Sequence, residues 1–333
     1  YMSLPLLIGT YTETNSEGIY HATFDPVSGK LLLGSLAIPA KNPSFLAKKD
    51  TFIYAVNEKL EGEVSAFKVV NGHLRLINRR SSKGSLPCHI EIFKGHVFVT
   101  NYGSGSIVVF EIQANGSLSK PFDSIIHRGR GPKTRRQKSP HPHQIYRISS
   151  ELIIPDLGTD CLNHYTFSHS HGLLKSRTTR VPPGSGPRHM VHHPKLPVAY
   201  VVNELANTVT VLSWQKQIES IQTYNTLPED FFGSSSPAEI QISSSGDRIH
   251  ISNRGHNSIV TFSIGQNGQL REPSWESCGG ENPRFFCLDP TDRWMLIANQ
   301  DTNDITTFRL ENGRPHVLVH REPVPTPVCI KFL

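Results

Sequence analysis

A unit of four short strands recurs seven times along this 333-residue chain, and that repeat limits the fold more than any other feature. Each unit opens on a proline: Pro43, Pro87, Pro142, Pro187, Pro237, Pro283 and Pro327, at intervals of 44, 55, 45, 50, 46 and 44 residues. A short apolar stretch and a polar turn follow. A second apolar stretch then ends in Asn in most units, as in FIYAVN (52–57), AYVVN (199–203), IHISN (249–253) and MLIAN (295–299). Third come stretches such as SIVVFEI (106–112) and SIVTFSI (258–264), and a fourth follows each. No stretch sustains a 3.6-residue period, so strand dominates and helix is minor. Six of the seven turns between third and fourth strands carry Gly: Gly29, Gly72, Gly116, Gly172, Gly268 and Gly313. Gly, and Asn before it, tolerate the positive φ of tight hairpins. Four short strands per repeat of 40–50 residues predict an all-β, seven-bladed β-propeller. Residues 6–11 match a second strand with no first strand before them, and the seventh proline opens a strand that runs to Leu333. The C-terminal strand is therefore expected to complete the N-terminal blade and close the ring, which removes two open edges. Residues 1–333 read as one such domain with no linker, and Tyr1, ahead of Met2, reads as an addition to the natural start.

The net charge of +6 has an address. Residues 127–138, HRGRGPKTRRQK, hold Arg128, Arg130, Lys133, Arg135, Arg136 and Lys138 with no acid, and outside them basic and acidic residues balance at 28 each. The segment lies in the longest interval between prolines. It reads as a solvated insertion; the functional alternative is a loop that draws in an anionic substrate just ahead of His141. Six charges on one loop are a poor footprint for a groove, so no nucleic-acid partner is expected. No apolar run reaches the roughly 20 residues of a helical span, and no leader pattern opens the chain, so no membrane partner is expected either. The five cysteines (Cys88, Cys161, Cys278, Cys287, Cys329) are scattered without a C-x-x-C, which reads as free thiols in a reducing, cytoplasmic setting. Asn115-Gly116-Ser117 has the form of a glycosylation triplet but coincides with a hairpin turn. P-loop, dinucleotide and G-x-S-x-G signatures are absent, which argues against nucleotide chemistry and a serine nucleophile. Catalytic zinc needs three protein ligands, and His141 with His143 supply two, so no metal and no cofactor are expected. Oligomeric state is not legible.

In a propeller the first strand of each blade lines the channel, and the second runs antiparallel to it. First-strand starts and second-strand ends therefore share one mouth. At the former stand His89, His141, His143, Arg188, His189, Glu239 and Arg284; just past the latter stand Tyr11, Glu58, Tyr102, Glu204, Arg254 and Gln300. Charged groups gathered in a concavity mark a functional site, although any one of them can instead bond blade to blade.

The same positions carry a family pattern. Gly9-Thr10-Tyr11-Thr12, Asn42-Pro43-Ser44-Phe45-Leu46, Asn101-Tyr102-Gly103, Ser139-Pro140-His141-Pro142-His143, Pro155-Asp156-Leu157-Gly158-Thr159-Asp160, Gly186-Pro187-Arg188-His189, Asn203-Glu204-Leu205, Ser252-Asn253-Arg254-Gly255, Asn282-Pro283-Arg284-Phe285 and Ala298-Asn299-Gln300 span almost the whole chain. In order and spacing the chain resembles the lactonase family of seven-bladed propellers, which includes bacterial-type 6-phosphogluconolactonases and carboxy-cis,cis-muconate cyclases. The resemblance implies a catalytic set of His141 or His143, Arg188, Glu204 and Arg254. Asp156, also in the pattern, reads as structural, closing a strand with a buried hydrogen bond.

Lactone hydrolysis requires a base to deprotonate water and donors to hold the oxyanion. Glu204, His141 or His143 is the candidate base. Arg188 or Arg254 is the oxyanion donor. The other Arg, with Arg284, binds the substrate's anionic group, while His89 and Gln300 hold hydroxyls. The expected partner is a small anionic lactone, 6-phosphogluconolactone of the pentose phosphate pathway foremost. The rivals are a muconate cyclase, in which the same Arg residues clamp carboxylates, and a non-enzymatic scaffold for a protein partner.

Overall fold

A computed structural model describes residues 3–333; the expectation of an added first residue falls on Tyr1, outside the described residues. Seven four-stranded antiparallel sheets form the seven-bladed β-propeller that the repeat predicts. Blade 1 joins Leu4–Thr10, Gly18–Phe24 and Leu31–Pro39 to the C-terminal strand Pro327–Phe332, which lies beside Leu4–Thr10 as expected. Blades 2 to 7 occupy residues 46–81, 87–126, 146–180, 187–225, 236–277 and 283–323.

Burial explains the sequence pattern strand by strand. The second strands Val198–Asn203 and Trp294–Asn299 are buried at every residue. A strand covered on both faces reads as a continuous apolar run rather than an alternation. The fourth strands His73–Ser81 and Ile218–Asn225 are mostly solvent-facing, as outer edges must be.

The chain forms two compact units. One holds blades 5, 6 and 7 (Pro187–Leu333) with His21–Ser35 and the chain up to Ile8; the other holds Gly9–Tyr20 and Leu36–Gly186, hence blades 2, 3 and 4. In the first, Tyr200, Val202 and Val211 of blade 5 pack against Ile240, Ile251 and Phe262 of blade 6. In the second, Tyr54 and Val64 of blade 2 pack against Val97 and Phe110 of blade 3, and Phe98 of blade 3 against Ile154 and Phe167 of blade 4. The hairpin glycines serve this packing. The Tyr54 hydroxyl donates to the Gly116 carbonyl at 2.8 Å, and the Tyr200 hydroxyl donates to that of Gly268 at 2.7 Å. Gly116 has φ 84° and a Cβ there would collide with the Phe52 ring, so both backbone and space require glycine.

One register positions the functional residues. The opening proline faces the second-strand Asn in four blades: Pro87 opposite Asn101, Pro187 opposite Asn203, Pro237 opposite Asn253 and Pro283 opposite Asn299. A register shift follows each proline at once. Such bulges re-aim side chains at the ends of strands. Here the residues lifted out of the ladder include Cys88, Arg188 and Arg284. Two openings differ from the sequence reading. In blade 4 Pro142 makes only an isolated bridge to Asp156, and the strand proper is Tyr146–Ile148, because the Ile145 amide donates to the His89 ring instead of to the ladder. In blade 2 the strand begins at Leu46, three residues past Pro43, after a turn in which Asn42 takes a positive φ.

Candidate active site

The second-strand Asn residues are structural. Asn203 donates to Thr208 and Thr210, and Asn253 to the Thr226 carbonyl and Ser258. They fix each strand end; Glu204 is the first residue past its strand, and Arg254 is the last residue of its own, paired with Ser236. Glu204 then accepts two ion pairs on one oxygen, from Arg188 Nε at 3.2 Å and from Arg254 Nη2 at 3.1 Å. All three side chains are 15% exposed or less. The rest of each guanidinium binds backbone: Arg188 Nη1 donates to the Ala238 carbonyl at 2.7 Å and Arg254 Nε to that of Ser236 at 3.1 Å. The bulged Arg188 thus links blade 5 to blade 6 while its charge faces Glu204. Burial and the neighbouring cations of Arg254 and Arg284 lower Arg188 to about 10, which leaves it charged at neutral pH.

Beside this trio lies a buried pair that the sequence placed at the mouth without giving it a role. His189 Nδ1 donates to Glu239 Oε1 at 3.2 Å, and the Ile240 amide donates to the same oxygen at 2.9 Å. Burial raises the Glu239 carboxyl to about 7, and burial with the Arg188 and Arg284 charges holds His189 well below the ordinary imidazole value. The sequence signal was available: both residues sit at the starts of adjacent first strands. At neutral pH this part of the molecule carries three guanidiniums, the Glu204 carboxylate, a half-ionised Glu239 and a neutral His189. The balance is cationic and suits an anionic ligand. Arg254 also lines a surface cleft of ≈ 410 Å³ with Ser236, Asn282 and Asp301. Gln300 is half-buried at the corresponding end of blade 7.

In the other unit the two candidate histidines differ. His141 is half-buried, stacks on the Tyr102 ring (4.5 Å, 20°) and donates from Nδ1 to the Tyr102 carbonyl at 2.7 Å. That bond fixes the tautomer and leaves the lone pair on Nε2. His143 is buried, meets Tyr102 edge-on and sits 3.8 Å from Cys88 Sγ. His89 is buried against Phe45, its Nδ1 accepting from the Ile145 amide. Asp156, fully buried, accepts from the amides of His141 (2.8 Å) and Gly158 (3.0 Å), in line with a structural role. It also accepts from His127 Nδ1 at 2.6 Å, a partner the sequence did not reveal. Gly158 lies so close that a Cβ would fall on the Ser139 carbonyl oxygen, which locks the segment carrying His141. At position 58, the counterpart of Glu204 in blade 2, Glu58 accepts from Tyr11 and Ser44 hydroxyls. The six cations of the 127–138 segment are all exposed, yet buried Gln137 pins the loop by donating to the Leu157 carbonyl and to Asp160. Arg136 reaches the Tyr102 hydroxyl at 3.1 Å. Among the described residues, no three His, Cys, Asp or Glu side chains gather as a metal ion would need.

Comparison with known proteins identifies the family. A 6-phosphogluconolactonase of Bacillus subtilis is 35% identical over 98% of this chain and 97% of its own length. One from Formosa agariphila is 33% identical over 93% of this chain and 94% of its own. The solved structure of a periplasmic gluconolactonase from Pseudomonas aeruginosa superposes with a TM-score of 0.93 at 27% identity, covering 100% of this chain and 99% of that one. The family described as "Lactonase, 7-bladed beta-propeller" matches residues 5–332, and the chain belongs to that family.

Proposed function

We propose that the protein hydrolyses an anionic sugar lactone, 6-phosphogluconolactone to 6-phosphogluconate. The observation that carries this reading is the Glu204 carboxylate shared by Arg188 and Arg254, with Arg284 as a third cation nearby. Two relatives named for this activity support the substrate.

Hydrolysis adds water to the ester carbonyl, passes a proton to a base, and breaks the bond to the ring oxygen, which leaves protonated. A guanidinium held by carboxylate and backbone needs no reorganisation to meet the oxyanion; removing one such donor costs roughly 10²–10³ in rate. The role falls to Arg188 or Arg254, and the remaining guanidinium with Arg284 takes the phosphate, to which their planar forks are suited. Of the candidate bases, Glu204 faces both guanidiniums and accepts an ion pair from each. The candidate bases His141 and His143 belong to the other unit, where His141 is half-buried with its lone pair on Nε2 and His143 is buried. His89 and Gln300 remain the candidates for hydroxyl contacts. Five buried, unbridged cysteines fit a cytoplasmic setting.

The test is turnover of 6-phosphogluconolactone, gluconolactone and carboxymuconolactone by the purified protein. The phosphorylated lactone should be preferred by kcat/KM, and Arg284→Ala should erase that preference. Preference for carboxymuconolactone would favour the cyclase, and inactivity on all three the scaffold.

A further inference from the structure

Blades 3 and 4 bound a cleft of ≈ 510 Å³ that none of the residues named above for lactone chemistry lines. Its size lies in the range of about 300–1,000 Å³ usual for small-molecule sites. Three cations line it, Arg128, Lys175 and Arg180, and no Asp or Glu does. Its floor is polar and buried: His127, Asn163 and Tyr165 are each 7% exposed or less. That floor is rigid. The Tyr165 hydroxyl donates to His127 Nε2 at 2.9 Å, and His127 Nδ1 donates to Asp156 at 2.6 Å. Its rim is apolar and open: Ile126 is 73% exposed and Leu174 51%, and both line the same cleft.

Each feature narrows the occupant. Like charges lining one concavity repel until a counter-charge arrives, and they focus an anion into it. Two guanidiniums and an ammonium match a dianion better than a single carboxylate. Exposed apolar side chains at the rim gain by covering a carbon body. The first cation of the basic segment, Arg128, is held here because Gln137 anchors the loop from which it projects. We propose that this cleft is a second ligand site, which binds an organic phosphate monoester through Arg128, Lys175 and Arg180 with its carbon body against Ile126 and Leu174.

Calorimetric titration with phenyl phosphate tests it, and needs no lactone turnover. The wild type should bind, and Arg254→Ala should retain a site of the same affinity. The triple variant Arg128→Ala/Lys175→Ala/Arg180→Ala should lose at least about tenfold in affinity at that site, roughly the contribution of one charge-assisted contact. All three side chains are exposed, so the variant should fold, and an unchanged melting temperature checks that it has. Ile126→Ser should weaken phenyl phosphate but leave inorganic phosphate unchanged. The proposal is overturned if the triple variant binds phenyl phosphate as the wild type does. It is equally overturned if the wild type shows no binding by about 10 mM, or if Arg254→Ala alone removes all binding.

Discussion

Glu239→Gln should make the protein more stable at alkaline pH and leave it nearly unchanged in acid. Burial raises the Glu239 carboxyl from 4.5 to about 7 in the folded chain, against the smaller opposing pull of the Ile240 amide and Arg188. The sign follows from proton counting. Below 4.5 both folded and unfolded chains hold the proton, and stability is insensitive to pH at this group. Between 4.5 and about 7 the unfolded chain has released it and the folded chain has not, so stability falls as pH rises; above about 7 the loss is complete. A difference of about 2.5 pKa units corresponds to about 3 kcal/mol. Glutamine keeps an oxygen to accept from His189 and the Ile240 amide and never ionises. Urea unfolding of both proteins at about pH 4.5 and about pH 8 reads the gap directly, because groups common to both cancel. The expected result is near-equality in acid and an advantage of about 3 kcal/mol for the variant in base. A gap independent of pH would refute the reasoning. A gap of the opposite sign would mean that the Arg188 charge outweighs burial.

Six other substitutions have expected outcomes. Arg188→Ala should cut kcat on the lactone by roughly 10²–10³ in steady-state assays, and Glu204→Gln should cost less while raising KM, since it frees two guanidiniums rather than removing one. His141→Ala should lower kcat with little change in melting temperature, whereas His143→Ala, which empties a buried position beside Cys88, should lower the melting temperature. Asp156→Ala leaves two backbone amides and the buried His127 without their acceptor and should cost about 3–5 kcal/mol by denaturant unfolding. Gly158→Ala should displace the backbone at Ser139 and reduce activity even where a stability assay shows folded protein.

What the sequence made legible and what it hid separate along a physical line. The blades were legible because each is local: four strands, three turns and a proline within some 45 residues repeat the same solution seven times. Arg188, Glu204 and Arg254 could be placed at one end of their blades because antiparallel pairing fixes where a strand start and a strand end must meet. The bond from Arg188 to the Ala238 carbonyl spans 50 residues, as does that from His189 to Glu239, and both depend on bulges that no period announces. The insertion shows both cases in one segment. Its six charges are exposed, as composition suggested, but the two residues that hold it, His127 and Gln137, are uncharged in the sequence reading and buried in the fold. A reading that weighs charge first sees the cations and misses the anchors. The anchors, however, give Arg128 and Arg136 fixed positions, at a cleft lined by cations and at the Tyr102 hydroxyl. A loop that looked like one basic feature is better described as six exposed cations, of which Arg128 and Arg136 are placed by neutral residues.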